Sequence, residues 1–229
     1  MIVAVVLAAG KGTRINSAPL PKQFLNIGHS PMVVETVEKF SFIEAVEKIV
    51  IVVSQPWISH ARDLFKGKVY FNKLVFCTGG ETRQQSLFSA CNVIAKQFGG
   101  EVGIISHDAA RPFVSLRIIE DNIKNLKAGH ASDTVFPCTD TIVESLDGNA
   151  LSNIPNRKNL YQGQTPQSFI CQDYIEAFRR YGEDDSITDA AKLLLKNGKK
   201  ILVVKGEPFN IMVTSDFDIV FAEFLMAHR

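Results

Sequence analysis

The chain has almost no excess charge of either sign: 25 Lys and Arg stand against 24 Asp and Glu, a formal net charge of +1. A broad basic surface for nucleic acid is thereby excluded, so whatever cations do here they do locally. Cysteine is scarce. Cys77, Cys91, Cys138 and Cys171 show no C-x-x-C spacing and no histidine at metal-ligand spacing, and they read as the reduced thiols of a cytoplasmic protein. No apolar run approaches the roughly 20 residues needed to span a bilayer. Met1 runs straight into strand-like residues without the basic segment of a signal peptide, so neither a membrane nor a secretory route is expected. Repeats and low-complexity linkers are absent too. With 229 residues, 46% of them hydrophobic, a single domain over 1–229 is expected.

What is present begins at the N-terminus. Ile2 to Leu7 is an apolar, β-branched run of strand length that breaks into Ala8-Ala9-Gly10-Lys11-Gly12-Thr13-Arg14, followed by Pro21-Lys22-Gln23. A buried strand ending in a small-residue loop presents backbone N–H groups at the sheet edge where open α/β sheets bind ligands. Little or no Cβ stands between that backbone and a phosphate. The stretch reads as a triphosphate cradle supplied with Lys11, Arg14 and Lys22. A Walker loop does not fit, because Lys11 precedes Gly12 and Thr13 follows it. The dinucleotide fingerprint G-x-G-x-x-G fails at Ile15. The second apolar strand, Lys48 to Val53, ends in Ser54-Gln55-Pro56 with no acid for a ribose 2′-hydroxyl, so a nicotinamide oxidoreductase is disfavoured.

Further along, Pro31 to Phe40 carries apolar residues at helical spacing, and Lys48 to Val53 has the continuous apolarity of a parallel strand covered on both faces. Trp57 to Phe65 reads as a short helix. A strand at Leu74 to Cys77 ends in Gly79-Gly80-Glu81-Thr82-Arg83-Gln84-Gln85-Ser86 and a helix to about Gln97. This repeats the strand–glycine turn–helix plan of the first loop and adds Arg83 and Ser86 to N–H groups suited to an anion or a base edge. A strand at Val102 to Ser106 leads to His107-Asp108-Ala109-Ala110-Arg111-Pro112. An acid at such a strand tip is placed to hold Mg²⁺ against phosphates. Asp108 also has a plainer reading as a turn cap, with Arg111 as its structural partner.

After a helix at Arg117 to Lys127 and a strand at Asp133 to Phe136 the pattern changes. Asp140 to Ser145, a turn at Leu146-Asp147-Gly148-Asn149 and the stretch to Pro155 read as a hairpin that βαβ winding does not explain. We expect a β-arm over about 138–164 that packs on a partner subunit. Helices at Gln172 to Tyr181 and from Ser186–Asp189 to Lys196, a strand at Ile201 to Lys205, and a last helix capped by Ser215 or Asp216 complete the chain. The fold class is therefore α/β, a Rossmann-like, mostly parallel twisted sheet with a protruding arm.

Taken together, Ala8 to Arg14, Pro21 to Gln23, G-G-E-x-R-x-x-S at Gly79 to Ser86, H-D-A-A-R-P at His107 to Pro112, Asp140-Thr141, Arg157, Thr165 to Gln167, Thr188-Asp189 and Asn210 to Thr214 resemble the polyol-phosphate cytidylyltransferases along the whole chain. Two branches of that family act on 2-C-methyl-D-erythritol 4-phosphate, for isoprenoid precursors, and on D-ribitol 5-phosphate, for teichoic-acid polymers. Tyr161 to Phe169 looks more like the ribitol branch. The resemblance implies CTP, Mg²⁺ and a homodimer that exchanges β-arms. It implies nucleotide contacts from Leu7, Ala8, Ala9, Gly10, Gly12, Thr13, Gly80, Glu81, Arg83, Ser86, Asp108, Ala109 and Arg111. Transition-state stabilisation falls to Arg14 and Lys22, and substrate contacts to Thr141 and Arg157 of the arm and to Thr165, Thr188 and Asp189. One position departs: where the family usually has Lys, in N-I-K-V-T, this chain has Met212. A non-catalytic nucleotide-binding protein of the same fold is the second class that the residues allow.

Overall fold

The computed structural model describes residues 1–10, 20–182, 184 and 186–228. Seven strands form one sheet: β1 (Ile2–Ala8), β4 (Lys48–Val53), β5 (Leu74–Thr78), β6 (Gly103–Asp108), β7 (Ala131–Pro137), β8 (Tyr161–Ile170) and β9 (Ile201–Lys205). A two-stranded ribbon, β2 (Asn26–Ile27) with β3 (Ser30–Pro31), lies apart from it. The order is β5-β4-β1-β6-β8-β7-β9. β8 alone runs against its neighbours, antiparallel to both β6 and β7, while the pairs β4–β5, β1–β4, β1–β6 and β7–β9 are parallel.

The apolar strands are central because both their faces are covered. Val3 to Val6 and Ile49 to Val53 are fully buried. One face packs against α1 (Met32–Ser41), α2 (Ile58–Leu64) and α4 (Leu116–Lys127) through Val33, Val37, Ala61 and Ile119. The other packs against α3 (Arg83–Phe98), α5 (Cys171–Tyr181) and α6 (Ala190–Lys196) through Leu87, Ala90, Tyr174 and Leu193. The last helix, α7 (Asp216–Ala227), starts from a Ser215 capping box and closes a small third core with Ile27, Met32 and Phe113. None of the helices among the described residues is long and apolar enough to cross a membrane.

Two of the boundaries that differ from the sequence reading bear on the site. β6 runs on to Asp108, so His107 and Asp108 are strand residues held by pairing to β1 rather than members of a loop. The arm is also shorter. Residues 161–164 belong to β8, where Tyr161, Gln162 and Gly163 pair with Pro137, Phe136 and Val135. What projects is 138–160, tied at its base by Cys138 N–H donating to the Leu160 carbonyl. It is a minimal hairpin with an isolated bridge between Glu144 and Asn153. The arm leaves from the same sheet edge as the tips of β1, β5 and β6.

Candidate active site

Three strand tips converge at that edge. Leu7 to Gly10 at the end of β1 form one wall of a cavity of about 230 Å³. Gly80 to Arg83 and Ser86 form the second, Asp108 to Ala110 the floor, and Lys22, Gln23 and Met212 the remaining side. Thus Leu7, Ala8, Ala9, Gly10, Lys22, Gly80, Glu81, Arg83, Ser86, Asp108 and Ala109 come together as the sequence predicts. Lys11, Gly12, Thr13 and Arg14 lie outside the described residues.

The cradle is braced by a residue to which the sequence reading gave no role. Gln23 is buried, and its Nε2 donates to the carbonyls of Ala8 (2.6 Å) and Gly10 (3.1 Å), so that the main chain turns around a side-chain amide. The signal for it was its place in Pro21-Lys22-Gln23. Lys22 begins a 3₁₀ turn over Lys22–Phe24, and its Nζ donates to the Val213 carbonyl at 2.9 Å, reaching across the cavity mouth to the Met212–Val213 segment.

The second loop is stiffened by its own side chains. Thr82 and Gln85 make a reciprocal capping box at the start of α3, and the Gln85 amide oxygen also accepts from Glu81 N–H at 2.9 Å. Ser86 Oγ accepts from Gly80 N–H (3.1 Å) and donates to the Gly80 carbonyl (3.3 Å). Gly79 is required by contact: a Cβ there would lie 2.5 Å from Ala9 Cβ and 2.8 Å from Ser86 Oγ, wedging the two loops apart. Gly79→Ala is therefore expected to weaken CTP binding at least tenfold and to lower stability by about 1–3 kcal/mol, the usual cost of overpacking. Calorimetric CTP titration and denaturant unfolding check the two effects.

Asp108 is gripped by two guanidiniums. Arg83 Nε donates to its Oδ1 at 2.9 Å, and Arg111 Nε stands 3.8 Å from Oδ2. Burial alone would raise the Asp108 carboxyl, but Arg83 and Arg111 beside it prevail and hold it below its ordinary value. Arg111 also ties the site together, donating to the carbonyls of Asn210 (2.8 Å) and Gly163 (3.4 Å). Behind Asp108, the buried His107 places Nε2 at 3.0 Å from the Arg111 carbonyl and Nδ1 at 2.9 Å from Thr165 Oγ1. Burial pulls the imidazole down to about 4, so it is neutral. A carbonyl only accepts, so Nε2 carries the proton, and the Thr165 hydroxyl donates to Nδ1 while accepting from Asp108 N–H at 3.2 Å. Thr165 is thus used within the fold, holding the β6 tip.

Of the other sequence-predicted residues, Thr141 and Arg157 are exposed on the arm, where Arg157 Nη1 donates to the Thr139 carbonyl. Thr188 is exposed, and Asp189 caps α6 by accepting from Lys192 N–H. These four do not line the cavity of a single chain. As to metal, no group of three or more His, Cys, Asp or Glu converges among the described residues. Asp108, already paired with two arginines, and Glu81 are the carboxylates of the cavity, a set that suits an Mg²⁺ carried on triphosphate oxygens with one or two protein carboxylates rather than a metal caged by protein.

The chain is similar to known proteins over its whole length. Residues 2–228 match the family profile of IspD, 2-C-methyl-D-erythritol 4-phosphate cytidylyltransferase. Among curated relatives, a ribitol-5-phosphate cytidylyltransferase of Streptococcus pneumoniae is 38% identical, over 97% of both chains. One of Lactiplantibacillus plantarum is 36% identical over 100% of both. Among solved structures, the 4-diphosphocytidyl-2C-methyl-D-erythritol synthase of Anaerococcus prevotii superposes with a TM-score of 0.85 at 25% identity, covering 99% of this chain and 96% of that one. The 2-C-methyl-D-erythritol 4-phosphate cytidylyltransferase of Francisella tularensis gives 0.78 at 26% identity, covering 98% and 99%.

Proposed function

The chain belongs to the 2-C-methyl-D-erythritol 4-phosphate cytidylyltransferase family, and from that premise we propose that it transfers CMP from CTP to D-ribitol 5-phosphate, giving CDP-ribitol and pyrophosphate. The observation that carries this reading is the one cavity in which the β1 cradle, Lys22, Arg83 and Asp108 meet, with Arg111, which does not itself line it, backing Asp108. The acceptor is taken from the relatives at 36–38% identity, which bear the ribitol name over the full length of the chain. Methylerythritol phosphate is the second reading, favoured by the family profile and the solved structures.

The acceptor phosphate attacks the α-phosphorus of CTP in line, one P–O bond forms as another breaks, and pyrophosphate leaves. The attacking phosphate is ionised at neutral pH, so the reaction asks for positioning and charge neutralisation rather than a general base. Small residues at Ala8 to Gly10 and Gly80 let the triphosphate approach the backbone, Lys22 neutralises charge on it, and Arg14 joins Lys22 by the family resemblance. Asp108 would help hold an Mg²⁺ carried on the phosphates, which would supply further positive charge there. Thr141 and Arg157 act on the neighbouring subunit of a homodimer. In support, the arm exposes Leu146, Leu151 and Ile154, apolar side chains that a partner would cover.

Pyrophosphate release with CTP and Mg²⁺, offering D-ribitol 5-phosphate and 2-C-methyl-D-erythritol 4-phosphate in parallel, tests the proposal. Release with ribitol phosphate is expected. Release with methylerythritol phosphate alone transfers the protein to the second reading, and silence with both, despite CTP binding, refutes both.

A further inference from the structure

A row of polar side chains crosses the sheet just beneath the cavity floor. Ser106 on β6 stands opposite Gln167 on β8, and Gln167 opposite Asp133 on β7, so all three project from one face. It is the α3 face, because Ser106 also pairs in register with Val5, a member of that core. Asp108, two residues after Ser106, points the same way and meets Arg83. The row therefore lies one step below the Asp108–Arg83 pair. Gln167 Nε2 donates to Asp133 Oδ1 at 3.0 Å, and its Oε1 accepts from Ala190 N–H at 3.3 Å, which fixes the amide's orientation.

This layer is polar and incompletely paired. Ser106 Oγ, on a side chain of zero exposure, has no hydrogen-bond partner. Gln84 Nε2, in the first turn of α3, and both terminal nitrogens of Arg83 are likewise buried and unpartnered. Buried polar groups are nearly always paired, so these atoms, three N–H donors and one hydroxyl, leave room for an oxygen-bearing ligand. Asp133 is itself partly buried and within electrostatic reach of Arg83 and Arg111.

We propose that Asp133 is a specificity-determining residue that accepts a hydrogen bond from a hydroxyl of the acceptor polyol, with Gln167 orienting its carboxylate and Ser106 and the Arg83 fork completing the subsite. The inference rests on the polyol-phosphate reading above. A hydroxyl both donates and accepts, which matches a layer holding a carboxylate, a hydroxyl and guanidinium donors side by side. Burial holds the Asp133 carboxyl up to about 6, a cost to the ionised fold of the kind that functional sites retain.

The test is steady-state kinetics on the whole protein with D-ribitol 5-phosphate and three analogues, each lacking one hydroxyl at C2, C3 or C4. Asp133→Leu is expected to raise the acceptor KM about ten- to a hundredfold, the range of one charge-assisted hydrogen bond, and to leave the CTP KM unchanged. One of the three analogues should suffer the same loss with the unaltered protein and no further loss with the variant. Asp133→Asn, which removes a buried charge and should melt no lower than the unaltered protein, guards against a folding defect and is expected to show an intermediate KM. An unchanged acceptor KM in both variants, or losses that add for every analogue, overturns the assignment of Asp133 alone. Failure of the unaltered protein to use ribitol phosphate overturns the proposed function and this subsite with it.

Discussion

Alanine at Lys22 is expected to slow pyrophosphate release by about a hundred- to a thousandfold, because removing one preorganised charge donor typically raises a barrier by about 2.7–4 kcal/mol. Pro21 precedes the 3₁₀ turn that Lys22 begins, Gln23 pins that turn to the Ala8 and Gly10 carbonyls, and the Val213 carbonyl holds Nζ at 2.9 Å. The ammonium is thus set at the cavity wall before substrate arrives. Folding should survive, since the side chain is only half-buried and a hydrogen bond such as that to the Val213 carbonyl contributes about 1 kcal/mol. Lys22→Arg, which keeps the charge but not the reach, should fall between the two. Single-turnover rates at saturating CTP, set beside melting curves, check this. A near-normal rate with Lys22→Ala removes Lys22 from the transition state.

How much could be read without the fold depended on which interactions were local. β1, β4 and β6 announce themselves because strands covered on both faces must be apolar throughout. The arm's turn is written in Asp147-Gly148, where Asp147 Oδ1 accepts from the Asn149 and Ala150 N–H groups and Gly148 adopts φ +74. β8 is the opposite case. Gln162, Gly163, Gln164, Thr165, Pro166, Gln167 and Ser168 carry no strand periodicity, yet most of that run is buried. Its polarity is satisfied far along the chain: Gln164 by Glu207 and Asn210, Thr165 by His107, Gln167 by Asp133, and Ser168 by Ser132. Pairings across dozens of residues leave no local signal. For the same reason the sequence showed Gln23 only as part of a motif and passed over Asp133. It put the metal-ligand reading of Asp108 ahead of a partnership with Arg111 and did not foresee Arg83, which comes from another strand–helix unit and lies closer to Asp108 than Arg111 does. The departure at Met212 did prove informative, since that side chain forms part of the cavity wall.

The grip of two arginines on Asp108 leads to the second large effect. Asp108→Ala should destabilise the protein by about 3–5 kcal/mol, because removing one member of a buried ion pair leaves its partners charged and uncompensated. The Arg83 and Arg111 side chains are only 24% and 11% exposed, so water can do little to replace the carboxylate. The pH dependence has a definite sign. A carboxyl held below its ordinary value by Arg83 and Arg111, against burial, contributes stability above its unfolded pKa and loses it as pH falls through the lower folded value. Denaturant midpoints of the variant and the unaltered protein should therefore differ at neutral pH and converge in strong acid. Nucleotide gives the sharper discrimination. Arg83 lines the cavity, so a bound triphosphate places negative charge near the uncompensated arginines, and CTP should raise the melting temperature of Asp108→Ala by more than that of the unaltered protein. Were Asp108 chiefly a metal ligand, its loss would instead leave the apo fold nearly as stable and weaken the gain from Mg²⁺ added with CTP. The two outcomes point in opposite directions, so one set of melting curves, with and without CTP and Mg²⁺, decides whether Asp108 serves the arginines or the metal.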